Sequence, residues 1–193
     1  MTSVLPDQDS RVSLSPRAAE IAAAARNLLE AEGLGALSMR NIAAQLGIRA
    51  ASLYEHFADK RAVENAVIAA GLYDQGDYIR AQLAVSDDEP ITVIARSFRE
   101  WALAHPALYR LLMSRDLDRD APDVAAAENY AAGPIREHAG PCPKLSVSLW
   151  AFSHGMVDLE LNARFPPGFD LDAVWTAGIQ ALVAGLDTGN KPT

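Results

Sequence analysis

Three prolines, Pro16, Pro90 and Pro106, each head a run in which apolar residues return every three or four positions. That coupling of a start signal to a period constrains the chain more than any other feature. Proline at a first helical position gives up no intrahelical hydrogen bond and presets φ. A 3.6-residue period buries one stripe of a helix, whereas a strand needs a period of two. Ser15 and Pro16 read as N-cap and first helical residue, and Ile21, Ala25, Leu28 and Leu29 follow at helical spacing. Pro90 opens a stripe of Ile91, Ile94, Phe98, Trp101 and His105; Pro106 ends it and starts PALYRLLM. Strand-like alternation and internal repeats appear nowhere in the 193 residues. The expected fold class is all-α.

The remaining segments follow the same punctuation. Gly33 and Gly35 end the first helix. Ser38 caps a short second one with Ile42, Ala43 and Leu46 inward, and Gly47 stops it. A third short helix is expected from about Ala50 to His56. Asp59 is placed to cap a fourth that reaches about Val85, with Val63 and Val67 inward and Gly71 and Gly76 loosening it. Past a charged loop at 114–122, a helix from Asp123 is interrupted near Gly133 and Pro134, and GPCPK forms a turn. A long apolar helix is expected over 144–165, and Asp170 caps a last one to about Leu186. Residues 1–14 and 188–193 read as tails, with a natural division near residue 60.

Half of the residues are apolar, enough for a real core in a chain of this length. The single Cys142 cannot form an intramolecular disulfide, which suits a reducing compartment. The N-terminal stretch is polar and acidic, without the basic start and apolar run of a signal peptide. No stretch is long and apolar enough to span a bilayer. A cytoplasmic location is expected. The net charge of −8 means that any affinity for nucleic acid must come from local charge.

Such local charge exists. Within 38–61 stand Arg40, Arg49, Lys60 and Arg61 against Glu55 and Asp59, a net +2. Two short helices joined by QLGIRA form a helix-turn-helix pattern, in which the first lies across a nucleic-acid backbone and the second enters a major groove. Gly47 supplies the tight turn, and Leu46, Ile48 and Leu53 lock the pair. Arg49, Ala50, Ser52, Tyr54 and His56 are left outward, small Ala50 and Ala51 allow close approach to base edges, and Lys60 sits at the next helix start, where phosphate is attracted. Tyr54 reads either as a phosphate donor or as a core ring with its hydroxyl at the rim.

The run LSMRNIAAQLGIRAASLYEHFADKRAV, with its S-x-R-x-I-A start, L-G-I turn and S-L-Y-x-H-F-x-x-K stretch, resembles the signature of the TetR/AcrR family of transcriptional regulators. The resemblance implies a three-helix DNA-binding head over 15–60 and a larger helical ligand-binding and dimerisation domain over 61–187. It also implies that Arg40 reaches a base or a phosphate, that Arg49, Ala50, Ala51 and Ser52 face bases, and that Tyr54, His56 and Lys60 hold phosphate. Position 51 is often Gly in the family; Ala51 should restrict the turn slightly. WALAHPALYRLLM and WAFSHGMVDLELNARFP resemble the C-terminal domain named for a Trp-His-Gly pattern, here Trp150, His154 and Gly155. That resemblance implies a small-molecule sensor.

The residues of the second half can be weighed on their own. Helix 144–165 carries two apolar stripes, Leu145, Leu149, Phe152, Met156 and Leu159, and Trp150, His154, Val157 and Leu161. A helix apolar on both sides needs cover on both. The last helix sets a bulky face of Leu171, Trp175, Ile179, Leu182 and Leu186 against a small one of Ala173, Ala177, Ala181 and Ala184. A homodimer through these two helices is the simplest cover, with a thick monomer core as the alternative. Trp101, His105, Tyr109 and Met113, bent at Pro106, with Trp150, His154 and Val157 opposite, are the candidate ligand-binding residues, for a mainly apolar or aromatic effector. His105 and His154 read either as core and helix-end residues or as ligand contacts; Asp158 is placed to orient His154. No metal-ligand or catalytic constellation is visible, so no cofactor, metal or enzymatic activity is expected, and Cys142 reads as an incidental thiol. The reading is a ligand-responsive regulator, a repressor binding a palindromic operator as a homodimer. The alternative is a helical small-molecule-binding protein or enzyme with a non-functional head.

Overall fold

The computed structural model describes residues 11, 14–114, 116–139 and 143–187. The rest of the two expected tails, and Cys142 with the start of its turn, lie outside the described residues. Among the described residues there are ten α-helices and no strand. In chain order they are α1 (Pro16–Glu32), α2 (Met39–Gln45), α3 (Ala50–Leu53), α4 (Lys60–Val85), α5 (Pro90–Ala104), α6 (Pro106–Met113), α7 (Pro122–Ala131), α8 (Gly133–His138), α9 (Pro143–Leu161) and α10 (Leu171–Asp187). The all-α expectation holds. No helix among these residues is long and apolar enough to cross a membrane.

Side-chain caps start the helices where the sequence indicates. Ser15 Oγ accepts from the Ala18 amide at 3.2 Å and Ser38 Oγ from that of Asn41 at 3.2 Å. Asp59 Oδ1 accepts from Ala62 at 2.8 Å and Asp170 Oδ1 from Ala173 at 3.0 Å. Each satisfies an amide that the first turn leaves without a helical partner. Two helices end earlier than expected. α3 stops at Leu53, because the Tyr54 and His56 amides tighten onto the carbonyls of Ala51 and Leu53. That tightening turns Phe57 inward. α9 stops at Leu161 instead of 165. Ala163 takes a left-handed φ of 51°, and the amides of Ala163 and Arg164 close on Glu160 and Leu159. This is a Schellman ending formed without glycine.

The chain forms two compact units, Met1–Asp74 with His105–Ala131, and Gln75–Ala104 with Ala132–Thr193. In the first, α1 packs on α2 and α6. Its core includes Ile21, Leu29, Leu37, Ile42, Leu53, Val63, Leu108 and Leu111, all buried. α6 approaches α4 so closely that a Cβ on Gly71 would stand 3.0–3.2 Å from the Leu108 side chain. Gly71 is therefore a packing contact as well as a weak point in the helix. Arg61 Nε and Asn65 Nδ2 both donate to Asp118 Oδ2, at 3.0 and 2.9 Å, tying the first turns of α4 to the 114–122 loop.

In the second unit α9 packs on both α5 and α10. The buried residues are Val93, Leu149, Val157, Trp175 and Ile179, among others. Val157 joins the inner stripe of α9 with Leu145, Leu149, Ser153 and Met156, and not the outer stripe in which the sequence placed it. The Phe152 ring fills the space that a Cβ on Gly178 would need. One guanidinium joins three helices here. Arg99 Nε and Nη2 donate to Glu160 Oε2 at 3.1 and 2.8 Å, and Nη1 donates to Asp172 Oδ1 at 2.5 Å. Its carbon lies 5.5 Å from the centre of the Trp175 ring, while Trp175 Nε1 donates to Glu160 Oε1 at 2.5 Å. Both oxygens of a nearly buried carboxylate are thus occupied, as a buried charge requires.

Candidate nucleic-acid interface

The α2–α3 corner is built by few residues. Ile42, Ala43 and Leu53 are buried, Leu46 and Ile48 half-buried, and Gly47 takes φ 66° at the turn. The Ile48 amide returns to the Ala43 carbonyl at 3.0 Å, which fixes the entry to α3. With the apolar side committed to the core, the opposite side faces solvent. Arg40, Arg49, Ala51, His56 and Lys60 are exposed, Ala50 and Ser52 half-buried. Tyr54 is 54% exposed, so it is a surface ring and not a core one. These residues run from the first turn of α2 to the first residue of α4 within one unit.

Two of the four cations counted in the sequence have partners that it did not reveal. Lys60 Nζ lies 3.1 Å from Glu64 Oε1, a buried carboxylate one turn along α4. Arg61 is committed to Asp118, whose carboxyl is held below the usual carboxylate range, chiefly by the Asn65 hydrogen bond and then by that of Arg61. The local excess of positive charge is correspondingly weaker than a residue count implies.

The candidate ligand residues divide between the units. Trp101, Trp150, His154 and Val157 belong to the second; His105, Tyr109 and Met113 belong to the first. Trp101, Tyr109 and Val157 are buried, whereas Met113 and Trp150 are exposed. His105 stands between α5 and α6 as the N-cap residue of α6, its Nδ1 3.4 Å from Glu30 Oε1 on α1. The helix does break at Pro106. The His154 ring meets Phe98 and Trp150, both at 4.8 Å between centroids. Burial pushes its imidazole down to about 4, so it is neutral at pH 7. Asp158, expected to orient it, accepts from Asn162 Nδ2 at 3.0 Å. No cluster of three or more His, Cys, Asp or Glu able to hold a metal occurs among the described residues. A groove of about 400 Å3 opens on the second unit between α5 and α10, lined in part by Arg96, Arg99, Leu103, Trp175 and Ile179, none of them an expected ligand contact.

Comparison with known proteins matches the chain in two consecutive segments, the second of which spans parts of both units. Residues 21–67 match the family model described as bacterial regulatory proteins, tetR family, and residues 91–182 match the tetracyclin repressor-like C-terminal domain. The chain belongs to the TetR family of transcriptional regulators. An uncharacterized HTH-type transcriptional regulator of Mycobacterium tuberculosis is 28% identical over 171 residues, covering 84% of this chain and 78% of its own. A protein from Streptomyces coelicolor A3(2) described as a possible TetR family transcriptional regulator superposes with a TM-score of 0.64 at 21% identity, covering 90% of this chain and all of its own. A TetR variant from Acinetobacter baumannii AYE, solved in complex with minocycline, gives 0.63 at 26% identity, covering 93% of this chain and all of its own. Within this TetR family head, sequence reading missed Glu64 and Asp118 as the groups that hold Lys60 and Arg61. Glu64 was in reach of it, as an acidic residue four positions after a lysine.

Proposed function

We propose that this TetR family regulator is a ligand-responsive repressor that binds a palindromic operator as a homodimer in the cytoplasm. The observation that carries this reading is the division of 38–60 into a buried apolar side and an exposed side bearing Arg40, Arg49, Tyr54, His56 and Lys60. Such a surface has no role in its own core, and its residue types suit DNA. Arginine pairs with base edges. Hydroxyl, imidazole and ammonium groups suit phosphate. The small side chains of Ala50, Ala51 and Ser52 let the start of α3 approach bases. Residues 15–60 are the DNA-binding domain in this reading, and 61–187 bind effector and dimerise.

The homodimer is supported by what α9 and α10 leave uncovered. Val147, Trp150 and Ala151 on α9 and Ala173, Ala177, Ala181 and Ala184 on α10 are exposed in the single chain. Gly155 is telling, because a Cβ there would meet nothing within 4 Å. Glycine inside a helix costs about 1 kcal/mol relative to alanine, and no neighbour in its own chain needs the space. A second helix approaching closely would. The effector is mainly apolar or aromatic, with one or two hydrogen-bonding groups; a neutral, largely buried His154 suits such a molecule better than an anion. A related protein solved with minocycline supports ligand binding in this fold.

The test is fluorescence anisotropy on palindromic fragments from upstream of the gene, over a series of salt concentrations. The expected result is sequence-selective binding whose affinity falls steeply with salt. Absence of any salt-dependent preference for a palindrome would replace this reading with a helical ligand-binding protein or enzyme whose head no longer binds DNA.

A further inference from the structure

Two tyrosines of the first unit converge on one cation. Tyr73 stands on α4 and Tyr130 on α7, their ring centroids 5.2 Å apart and their planes inclined at 53°. Arg11, which belongs to no helix, sets its guanidinium carbon 4.9 Å from the centre of the first ring and 5.2 Å from that of the second. Its Nη2 donates to Tyr130 Oη at 3.4 Å. The face of an aromatic ring is negative, and two faces turned on one delocalised cation form the kind of cage that recognises organic cations. Burial, chiefly, pushes the Tyr73 hydroxyl up from its ordinary value; Arg11 opposes this, and the carboxylate of Asp123, in the first turn of α7, adds to it.

Two features distinguish this arrangement from a structural staple. Tyr73 Oη is buried without a hydrogen-bond partner, although buried hydroxyls nearly always have one. Arg11 fills the cage and leaves that hydroxyl unmatched. Arg11 is also exposed and lies outside every helix, so its withdrawal would uncover no core.

We propose that Tyr73, Tyr130 and Asp123 form a binding site for a monovalent organic cation, a guanidinium or primary ammonium group, and that Arg11 is its built-in competitor. The incoming cation takes the place between the two rings and Arg11 passes into solvent. A hydrogen-bonding group beside the cation pairs with Tyr73 Oη. Neutral molecules of the same shape are excluded, since neither the ring faces nor Asp123 attracts them.

The experiment uses the full chain without DNA, so its outcome is independent of operator binding. Butylguanidinium is titrated by calorimetry, with tyrosine ring resonances followed by NMR and pentanol as the neutral control. Arg11→Ala should bind butylguanidinium about tenfold more tightly than the unaltered protein, because a tethered group competes at an effective concentration in the millimolar range. Arg11→Lys, which returns a cation to the cage, should restore the weaker binding. Added to Arg11→Ala, Tyr130→Phe should keep binding and Tyr130→Leu should abolish it. Should Tyr130→Leu not fold, Asp123→Asn in the same background should weaken binding several-fold. If Arg11→Ala shows neither heat nor tyrosine shifts with the probe in the range of ten millimolar, or binds pentanol equally well, the proposal is overturned.

Discussion

The ring of His154 on α9 meets that of Phe98 on α5 nearly edge-on, at 61° and 4.8 Å between centroids. That contact, with Trp150 at the same distance, explains why burial alone brings the imidazole down to about 4. The unfolded chain takes up a proton near the ordinary value of 6.5, and the folded one does not until about 4. Stability should therefore be complete above pH 6.5, fall as the pH drops toward 4, and level off below. The full effect is about 3 kcal/mol at most. Urea unfolding across this range, on the unaltered protein and on His154→Phe, checks it; the variant should lose this share of the pH dependence. Parallel curves would assign the dependence to other groups.

For the head, Lys60→Ala and Tyr54→Phe should weaken binding to all DNA sequences about equally. Lys60→Ala should also lower the salt slope by about one unit. If Lys60 holds phosphate it must give up its 3.1 Å contact with Glu64, so Glu64→Gln should then strengthen binding in the presence of Lys60 and have little effect in its absence. Arg40→Ala and Arg49→Ala should instead cost about 1–3 kcal/mol at particular base pairs if their contacts are bidentate. Anisotropy against a panel of single-base operator variants separates the two patterns.

Ala177→Glu and Ala181→Glu should each produce folded monomers. Both positions are exposed in the single chain, so folding has no reason to suffer. A carboxylate brought into an apolar seam without a partner is costly. Sedimentation velocity reads the mass and circular dichroism the fold. Intact dimers in both variants would take the small face of α10 out of the interface.

Gly178→Ala should destabilise the second unit by about 1–3 kcal/mol, the usual range for overpacking a tight core. The new methyl group would enter the space of the Phe152 ring, which is itself braced edge-on by Trp175 at 5.5 Å. Gly71→Ala should cost less, because the obstacle there is the end of the Leu108 side chain, which can shift. Thermal unfolding of the two variants, side by side, tests the order.

What could be read from the sequence was local. Ser15, Ser38, Asp59 and Asp170 announced their helices because a cap and its amide are three residues apart. The exposed side of α2–α3 was legible because the residues read as inward include Ile42, Ala43 and Leu53, which are buried. Interactions without a period stayed hidden. Arg99 and Glu160 are 61 positions apart, and Arg11 and Tyr130 are 119 apart. The early end of α9 was missed because Ala163 takes a conformation usually left to glycine. Trp101, His105, Tyr109 and Met113 were joined by helical spacing across Pro106, and spacing does not reveal that compact packing puts Trp101 in one unit and the other three in the other.

The shared guanidinium of Arg99 has an evolutionary consequence. Glu160, Asp172 and Trp175 all contact it, and loss of Arg99 or of the nearly buried Glu160 leaves the other with a poorly matched charge. Substitutions at these four positions should be strongly non-additive. A lineage that replaces Arg99 can then hardly keep Glu160, and positions 99, 160 and 175 should change together across descendants while their neighbours drift independently.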